Sequence, residues 1–352
     1  MTSLQAIPEA VLWEEGMLLS PQHFQQAARR QEEILHYHLH LAAPFQWGIV
    51  DVEWDQTLLA RKLLRVRRLE AVMPDGLGVR HHTEETLQVD LTEHLAEARL
   101  RPVTIWLTVP AQRGADHPWE GSLGRTRPTE GAQTVDDNTG QSVLVRRARP
   151  VLKLEAGPRP GNAYAALPVA RLEVRDEALA LTEYVPPLLT CRPGSEPYLL
   201  CADLAHRVRQ RASDLAQRGV ASEDVHRSVR VMAGALPPFE AVLRSGRPHP
   251  FALYHALCAF VGWLAGAIPG KVPPAFSGYD HEDLLASFGE LDAEADTILG
   301  GMAKTRKTQR FELHQGGLLH RDRHGGHDAL RGLQRVARPA RPAGGIARHD
   351  LP

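Results

Sequence analysis

The chain has 352 residues, of which 43% are hydrophobic and 24% are charged, the balance of a folded globular protein rather than a disordered one. Its 41 Lys and Arg residues against 42 Asp and Glu residues give no reason to expect nucleic acid or an anionic membrane as a partner. The three cysteines, Cys191, Cys201 and Cys258, form no CxxC pair, so we expect reduced packing thiols in a cytoplasmic protein.

The first predicted element is a helix that begins after Ser20. Ser20 suits the N-cap, Pro21 suits the first turn, and Pro44 ends the helix. Its apolar residues fall near one face, as in an amphipathic helix: Phe24, Ala28, Leu35, Leu39 and Ala42.

Up to about residue 190 the pattern is mostly β. Between Val103 and Val109 apolar and polar residues alternate, which puts one face of a strand on a core. Similar runs follow the same pattern: Ile49–Trp54, Thr86–Leu91, Val143–Leu154 and Leu167–Val174. The segment from Arg113 to Gly140 is rich in Gly, Pro, Thr and Asp, and we interpret it as a long exposed loop. These short runs predict an antiparallel β-sandwich over residues 1–190.

From residue 195 to 313 the pattern is helical, and it predicts four helices of a bundle. Pro237 and Pro238 are expected to end the second helix. The third, Phe251–Ile268, approaches the length of a short membrane span, but its proline flanks favour a buried helix over direct membrane insertion. The fourth has a heptad-like seam suited to a bundle or a short multi-chain coil: Leu284, Phe288, Leu291, Ala295 and Ile298.

The final segment, residues 316–352, contains no aromatic residue and follows neither period, so it cannot build a core. We interpret it as a disordered tail or as the out-of-frame end of a gene.

Candidate chemical sites are few. His36 and His40 share a helix face and could bind a metal, but no Glu lies between them, and packed or solvated histidines explain them better. His320, His324 and His327 lie in the tail. The basic run Arg61–Arg68 lacks interleaved aromatic residues, which favours a solvated strand face over nucleic-acid binding. We find no nucleophile or phosphate-loop motif, and therefore expect no enzyme activity, no cofactor and no metal.

The segment Val11–Gln26 strongly resembles the opening motif of the TssK (ImpJ/VasE) family of type VI secretion baseplate subunits. It combines Trp13, a Glu-Gly-Met triplet at Glu15–Met17 and a Pro-Gln-His-Phe string at Pro21–Phe24. Further residues look like landmarks of the same family: Phe45–Gly48, Val72–Gly76, His249-Pro250, Tyr254, Pro274, Tyr279–His281 and Asp283-Leu284.

The resemblance implies an α+β architecture in which a β-sandwich shoulder is followed by a helical neck and a small head. The neck would form a homotrimer, and the fourth-helix seam residues are the expected contacts. The family's role is a cytoplasmic, non-enzymatic adaptor that links the TssF and TssG wedge to the inner-membrane complex of TssL and TssM. The family pattern ends after Leu313, so we expect the tail to replace the head and membrane-complex docking to be lost.

The resemblance also places partner binding in the N-terminal motif, whose expected contact residues are Trp13, Glu15, Gly16, Met17, Pro21, Gln22, His23 and Phe24. Alternatively, Trp13, Met17 and Phe24 staple the N-terminal segment onto the sandwich. Two further hypotheses from other classes stay open here: a phage-derived tail or receptor-binding protein, and a metal-dependent enzyme using His36 and His40.

Overall fold

The computed structural model describes residues 4, 7–82, 85–111, 124–217, 223–303, 313–314 and 317–318. The chain divides into two compact units, Met1–Thr305 and Arg306–Pro352. Within the described part of the second unit, Leu313–His314 pairs with Gly317–Leu318 in a short antiparallel ladder. The predicted tail and its histidines otherwise fall outside the described residues.

The first sheet contains four antiparallel strands, of which the second in the chain is the central one. The strands are β1 (Gly48–Asp55), β2 (Leu63–Val72), β3 (Gly78–His81) and β4 (Leu87–Asp90). β2 pairs with β1 along one edge and with β3 and β4, one after the other, along its other edge. The basic run lies largely on β2, where Arg67 and Arg68 form ion pairs with Asp55 and Asp51 on β1.

The second sheet has the order β10-β9-β5-β8 and is also antiparallel. Its strands are β5 (Val103–Pro110), β8 (Lys153–Ala156), β9 (Tyr164–Arg175) and β10 (Ala178–Leu181). The apolar faces of the two sheets share one core, in which Leu64 and Leu69 of β2 join Ile105 and Leu107 of β5. The predicted antiparallel sandwich is therefore confirmed.

A separate hairpin leaves the sandwich between β5 and β8. Its strands, β6 (Thr126–Val135) and β7 (Ser142–Pro150), pair only with each other among the described strands, and we call them the hairpin arm. The expectation of a loop over Arg113–Gly140 is wrong for β6, because this Thr-containing segment pairs antiparallel with β7, which contains Val143 and Val145, with one register shift between Thr129 and Ala132. Residues 112–123 lie outside the described ranges.

The helices include α1 (Pro21–Ala42) and the short α2 (Leu95–Ala98). Four long helices follow the sandwich: α3 (Glu196–Gln217), α4 (Glu223–Leu243), α5 (Pro250–Ala265) and α6 (Leu284–Ala303). The expectation that Pro237 and Pro238 end the second of these is wrong. α4 continues through both prolines to bury Phe239 and Leu243, and this burial offsets the lost backbone hydrogen bonds. No helix within the described ranges is long and apolar enough to cross a membrane.

The predicted α6 seam lies inside this single chain. Its five side chains are fully buried, and they belong to one core with side chains of α3, α4 and α5: Leu284, Phe288, Leu291, Ala295 and Ile298. Of the two structures that the seam predicted, a bundle or a multi-chain coil, the bundle is the one found here, because three neighbouring helices of the same chain already cover the seam. These side chains have no surface left to offer a second copy in this arrangement.

All three cysteines are free. Cys191 and Cys201 are buried in the helical core, and burial raises the pKa of the Cys191 thiol to about 12. A thiol with so high a pKa is inert at neutral pH, which fits a packing role.

Candidate functional site

The N-terminal motif forms an arm that folds back along α1. Glu15 and Gly16 form a turn, and Gly16 has a φ of +82°, a conformation that glycine adopts without strain. The backbone N–H of Met17 donates to the carbonyl of Glu14 at 3.3 Å. Further along, the Arg30 guanidinium of α1 donates to the carbonyl of Pro8, which ties the arm to the helix.

The start of α1 brings the motif's aromatic residues together. Pro21 occupies the first turn, and the backbone N–H of Ser20 donates to Nδ1 of His23 at 3.1 Å, closing a capping interaction. This fixes His23 and Phe24 beside Trp13, whose ring centroid lies 6.1 Å from each of theirs.

These aromatic side chains remain open to solvent. Trp13 is 51% exposed and Phe24 is 57% exposed, while Met17 and His23 are half-buried. The other motif residues, Glu15, Gly16, Pro21 and Gln22, are exposed. Two aromatic side chains that are about half exposed form an apolar surface. A partner that buries this surface gains a large share of its binding free energy from it.

α1 itself turns its apolar face outward. None of its residues is buried, and every residue of the predicted apolar stripe is exposed: Phe24, Ala28, Leu35, Leu39 and Ala42. An apolar stripe of a globular helix normally faces a core. Sequence periodicity found this stripe but could not tell which way it faces.

A second site lies where the sandwich meets the helices, and it unites residues that are about 200 positions apart. Phe45, in the α1–β1 linker, has its ring centroid 4.9 Å from that of Tyr279 and 5.4 Å from that of Phe251. The Trp47 ring meets His281 edge-on at 4.8 Å. The sequence marked Phe45, Trp47, Tyr279 and His281 separately as landmarks, and only the fold brings them into one cluster with Phe251.

Two histidines hold this linker through its backbone. Nε2 of His281 lies 2.8 Å from the carbonyl of Trp47, and Nε2 of His249 lies 3.0 Å from the carbonyl of Phe45. A carbonyl only accepts, so each Nε2 donates its proton. Each Nδ1 therefore accepts in the neutral ring: from the Tyr279 hydroxyl at 2.7 Å for His281 and from the Phe251 backbone N–H at 3.1 Å for His249.

Both imidazoles are thus built to stay neutral. Burial lowers the pKa of His281 to about 4 and also lowers the pKa of His249, whose ring stacks on His281 at 5.8 Å. Protonation would place a second N–H against donors that already point at Nδ1 and would bury charge at the junction.

We expect the stability of the chain to fall on mild acidification. The unfolded His281 takes up a proton below about pH 6.5, whereas the folded side chain resists it down to about pH 4. Its contribution is therefore complete above pH 6.5 and is lost as the pH falls toward 4, about 2 kcal/mol of it between pH 7 and pH 5.

Thermal melts at pH 7.5, 6.5, 5.5 and 5 should show this loss. His281→Gln can still donate to the Trp47 carbonyl, so it should melt lower at pH 7.5 but depend less on pH. A variant with the same pH dependence as the unmodified chain would contradict the assignment. Some dependence will remain, because burial also lowers the pKa values of His36, His81 and His249.

The hypothesised metal pair does not form a site. The His36 and His40 ring centroids are 6.3 Å apart, and Nδ1 of His36 is hydrogen-bonded to Nε2 of Gln46 at 3.0 Å. Across the described ranges, no three His, Cys, Asp or Glu side chains are grouped so that they could hold a metal ion.

Known proteins resemble this chain over most of its length. The sequence profile of the Bacterial Type VI secretion family of EvfL, ImpJ and VasE proteins matches residues 23–319. The type VI secretion system baseplate component TssK1 of Pseudomonas aeruginosa is 30% identical over 297 residues, which cover 79% of this chain and 66% of that protein. The chain thus spans just under two thirds of the length of this curated relative.

Solved structures share the fold. The crystal structure of TssK matches with a TM-score of 0.73 and 23% identity, covering 83% of this chain and 72% of that one. A chain of the TssK-TssF-TssG baseplate subcomplex, solved by cryo-electron microscopy, matches with a TM-score of 0.71 and 24% identity, covering 83% and 99%. Since the family profile matches far more than half of the sequence, this chain belongs to the TssK (ImpJ/VasE) family of structural, non-enzymatic type VI secretion baseplate components.

Proposed function

We propose that this chain is a cytoplasmic, homotrimeric adaptor of the type VI secretion baseplate that holds the TssF and TssG subunits through its N-terminal motif. The observation that carries this proposal is the exposed pair of Trp13 and Phe24, which the Gly16 turn and the α1 cap hold side by side. A relative of the same fold is found in a complex with TssF and TssG.

The same proposal divides the chain by role. Residues 1–190 form the shoulder that meets the wedge, and residues 195–313 form the neck. By family resemblance, binding of TssL and TssM belongs to the head, so we assign none of it to the shoulder or the neck. Membership of a structural family leaves the metal-dependent enzyme hypothesis without support.

Trp13→Ala should weaken capture of TssF and TssG. A large aromatic anchor contributes about 2 kcal/mol or more to an interface, which corresponds to a roughly 30-fold loss of affinity. The melting temperature should change little, because half of the side chain is already in water. Co-purification with tagged TssF and TssG, together with thermal melts, measures both effects.

Trp263→Ala is the matched control, since Trp263 is a 67% exposed tryptophan on α5 that does not belong to the motif. It should keep full capture. A large fall in melting temperature for Trp13→Ala would instead support the stapling alternative, and unchanged capture would contradict the proposed partner site.

A further inference from the structure

The helix α1 carries the end of the N-terminal motif, but no core holds it in place. None of its residues is buried, and no side chain of α1 belongs to the sandwich core or to the helical core in the part of the chain that the structure describes. Its orientation therefore depends on a small set of polar and close contacts. One set of these contacts lies at the linker between α1 and β1, residues 43–47.

Three consecutive residues of this linker are held from two sides. The carbonyls of Phe45 and Trp47 accept from the two histidines of the helical part of the chain, α3 to α6 with their connections. Between them, Nε2 of Gln46 donates to Nδ1 of His36 on α1 at 3.0 Å. The linker thus joins α1 to the helical part by hydrogen bonds as well as by the covalent chain.

The backbone at the first of these residues is strained. Phe45 has a φ of +65°, a left-handed conformation that a bulky side chain adopts only where its surroundings hold it there. Here the Phe45 ring packs against Tyr279 and Phe251, and its carbonyl is hydrogen-bonded. Strain that is kept in this way is typical of positions where a fixed geometry serves a function.

His36 is also fixed against the sandwich. Gly76 lies in the turn between β2 and β3 and has a φ of +84°. A Cβ added to Gly76 would overlap the imidazole of His36, so only a glycine leaves room for this ring. Gln46 on one side and the backbone of Gly76 on the other therefore set the position of His36, and with it the position of α1.

We propose that residues 45–47, together with His36, His249 and His281, form a latch that fixes α1 and the N-terminal motif relative to the helical part, so that TssF and TssG meet the motif in one orientation. These are positioning residues, since none of them belongs to the motif. The statement about TssF and TssG rests on the proposed function. Without the latch only a fraction of the copies presents the motif correctly, and the apparent affinity falls by that fraction.

Two substitutions release the latch from opposite ends. Gln46→Leu removes the hydrogen bond to His36 and leaves the helical part unchanged. His249→Asn removes the contact with the Phe45 carbonyl, because the shorter side chain does not reach it, while asparagine still caps α5. Circular dichroism melts should show that both variants remain folded, since neither side chain is fully buried.

Spin labels report the position of α1 directly. Ala28→Cys on α1 and Ser213→Cys on α3 give exposed label sites, and Cys258→Ser removes the half-buried native thiol. Co-expression with an excess of unlabelled chain ensures that each distance is measured within one copy. Double electron–electron resonance should give one narrow distance for the otherwise unmodified chain and a broad or shifted distribution for Gln46→Leu and His249→Asn.

Capture of TssF and TssG should fall in the same variants. Loss of one hydrogen bond shifts a conformational population by about three- to tenfold, so the affinity should fall by about that factor. Gln46→Glu can accept from the other tautomer of His36, and it should restore both the narrow distance and the capture. Gln210→Leu, the same change at an exposed glutamine of α3, should alter neither.

The outcomes separate the latch from the proposed function. An unchanged narrow distance in Gln46→Leu and His249→Asn would show that other contacts hold α1, which overturns the inference. A broadened distance with full capture would overturn the link to TssF and TssG, and so would a Gln46→Glu variant that restores neither reading. If Trp13→Ala keeps full capture, the proposed partner site fails, while a broadened distance in both variants still supports the latch.

Discussion

Replacing Phe288 and Leu291 together with aspartate should unfold the helical part of the chain rather than release folded monomers. Both side chains are fully buried in the core shared by α3 to α6. Removing a large buried side chain costs about 2–5 kcal/mol, and burying a carboxylate adds to this. The combined destabilisation of the two substitutions is therefore comparable to the total stability of a typical protein, about 5–15 kcal/mol.

Ala286→Asp together with Ala293→Asp is the matched control, because both alanines are exposed on the same helix. This control should keep its helical signal and its melting transition, while the core variant should lose both by circular dichroism. Light scattering on the same samples separates unfolding from dissociation. A core variant that is folded and monomeric would restore α6 as the intermolecular seam.

Gly48→Ala should destabilise the junction by about 2 kcal/mol or more. Gly48 has a φ of +137°, and a Cβ there would lie 2.8 Å from the Pro187 carbonyl oxygen. That carbonyl accepts the backbone N–H of Ile49 at 2.8 Å, so it cannot move away without breaking the link between β1 and the segment leading to α3. Backbone strain of this kind costs about 1–3 kcal/mol before the clash is counted.

Gly78→Ala provides the control for that change. Gly78 lies in the same sheet and has no unusual φ, and a Cβ added to it would meet no other atom within 4 Å. In urea unfolding, the midpoint of Gly78→Ala should stay close to that of the unmodified chain, while the midpoint of Gly48→Ala should fall. Equal midpoints for the two variants would show that the backbone at Pro187 can move away from the added Cβ without loss of stability.

Local patterns in the sequence determined the element types of this protein well. The two-residue period from Val103 to Val109 predicted β5, and the Ser20-Pro21 pair marked the start of α1. These features depend on neighbours within a few residues, so they can be read without the fold. The prolines of α4 show where local patterns fail. Pro237 and Pro238 are a local signal for the end of a helix, but burial of Phe239 beyond them outweighed that signal.

The sequence by itself also determined the family, through a motif that is contiguous from Val11 to Gln26. Only the tertiary structure decided which apolar stripes are internal: the α6 seam is covered by three helices, while the α1 stripe faces solvent. Both stripes have the same helical period. The period identifies the apolar face of a helix, but it does not identify what packs against that face. The junction of Phe45, His249 and His281 likewise needed the fold, because its contacts join residues about 200 or more positions apart in the chain.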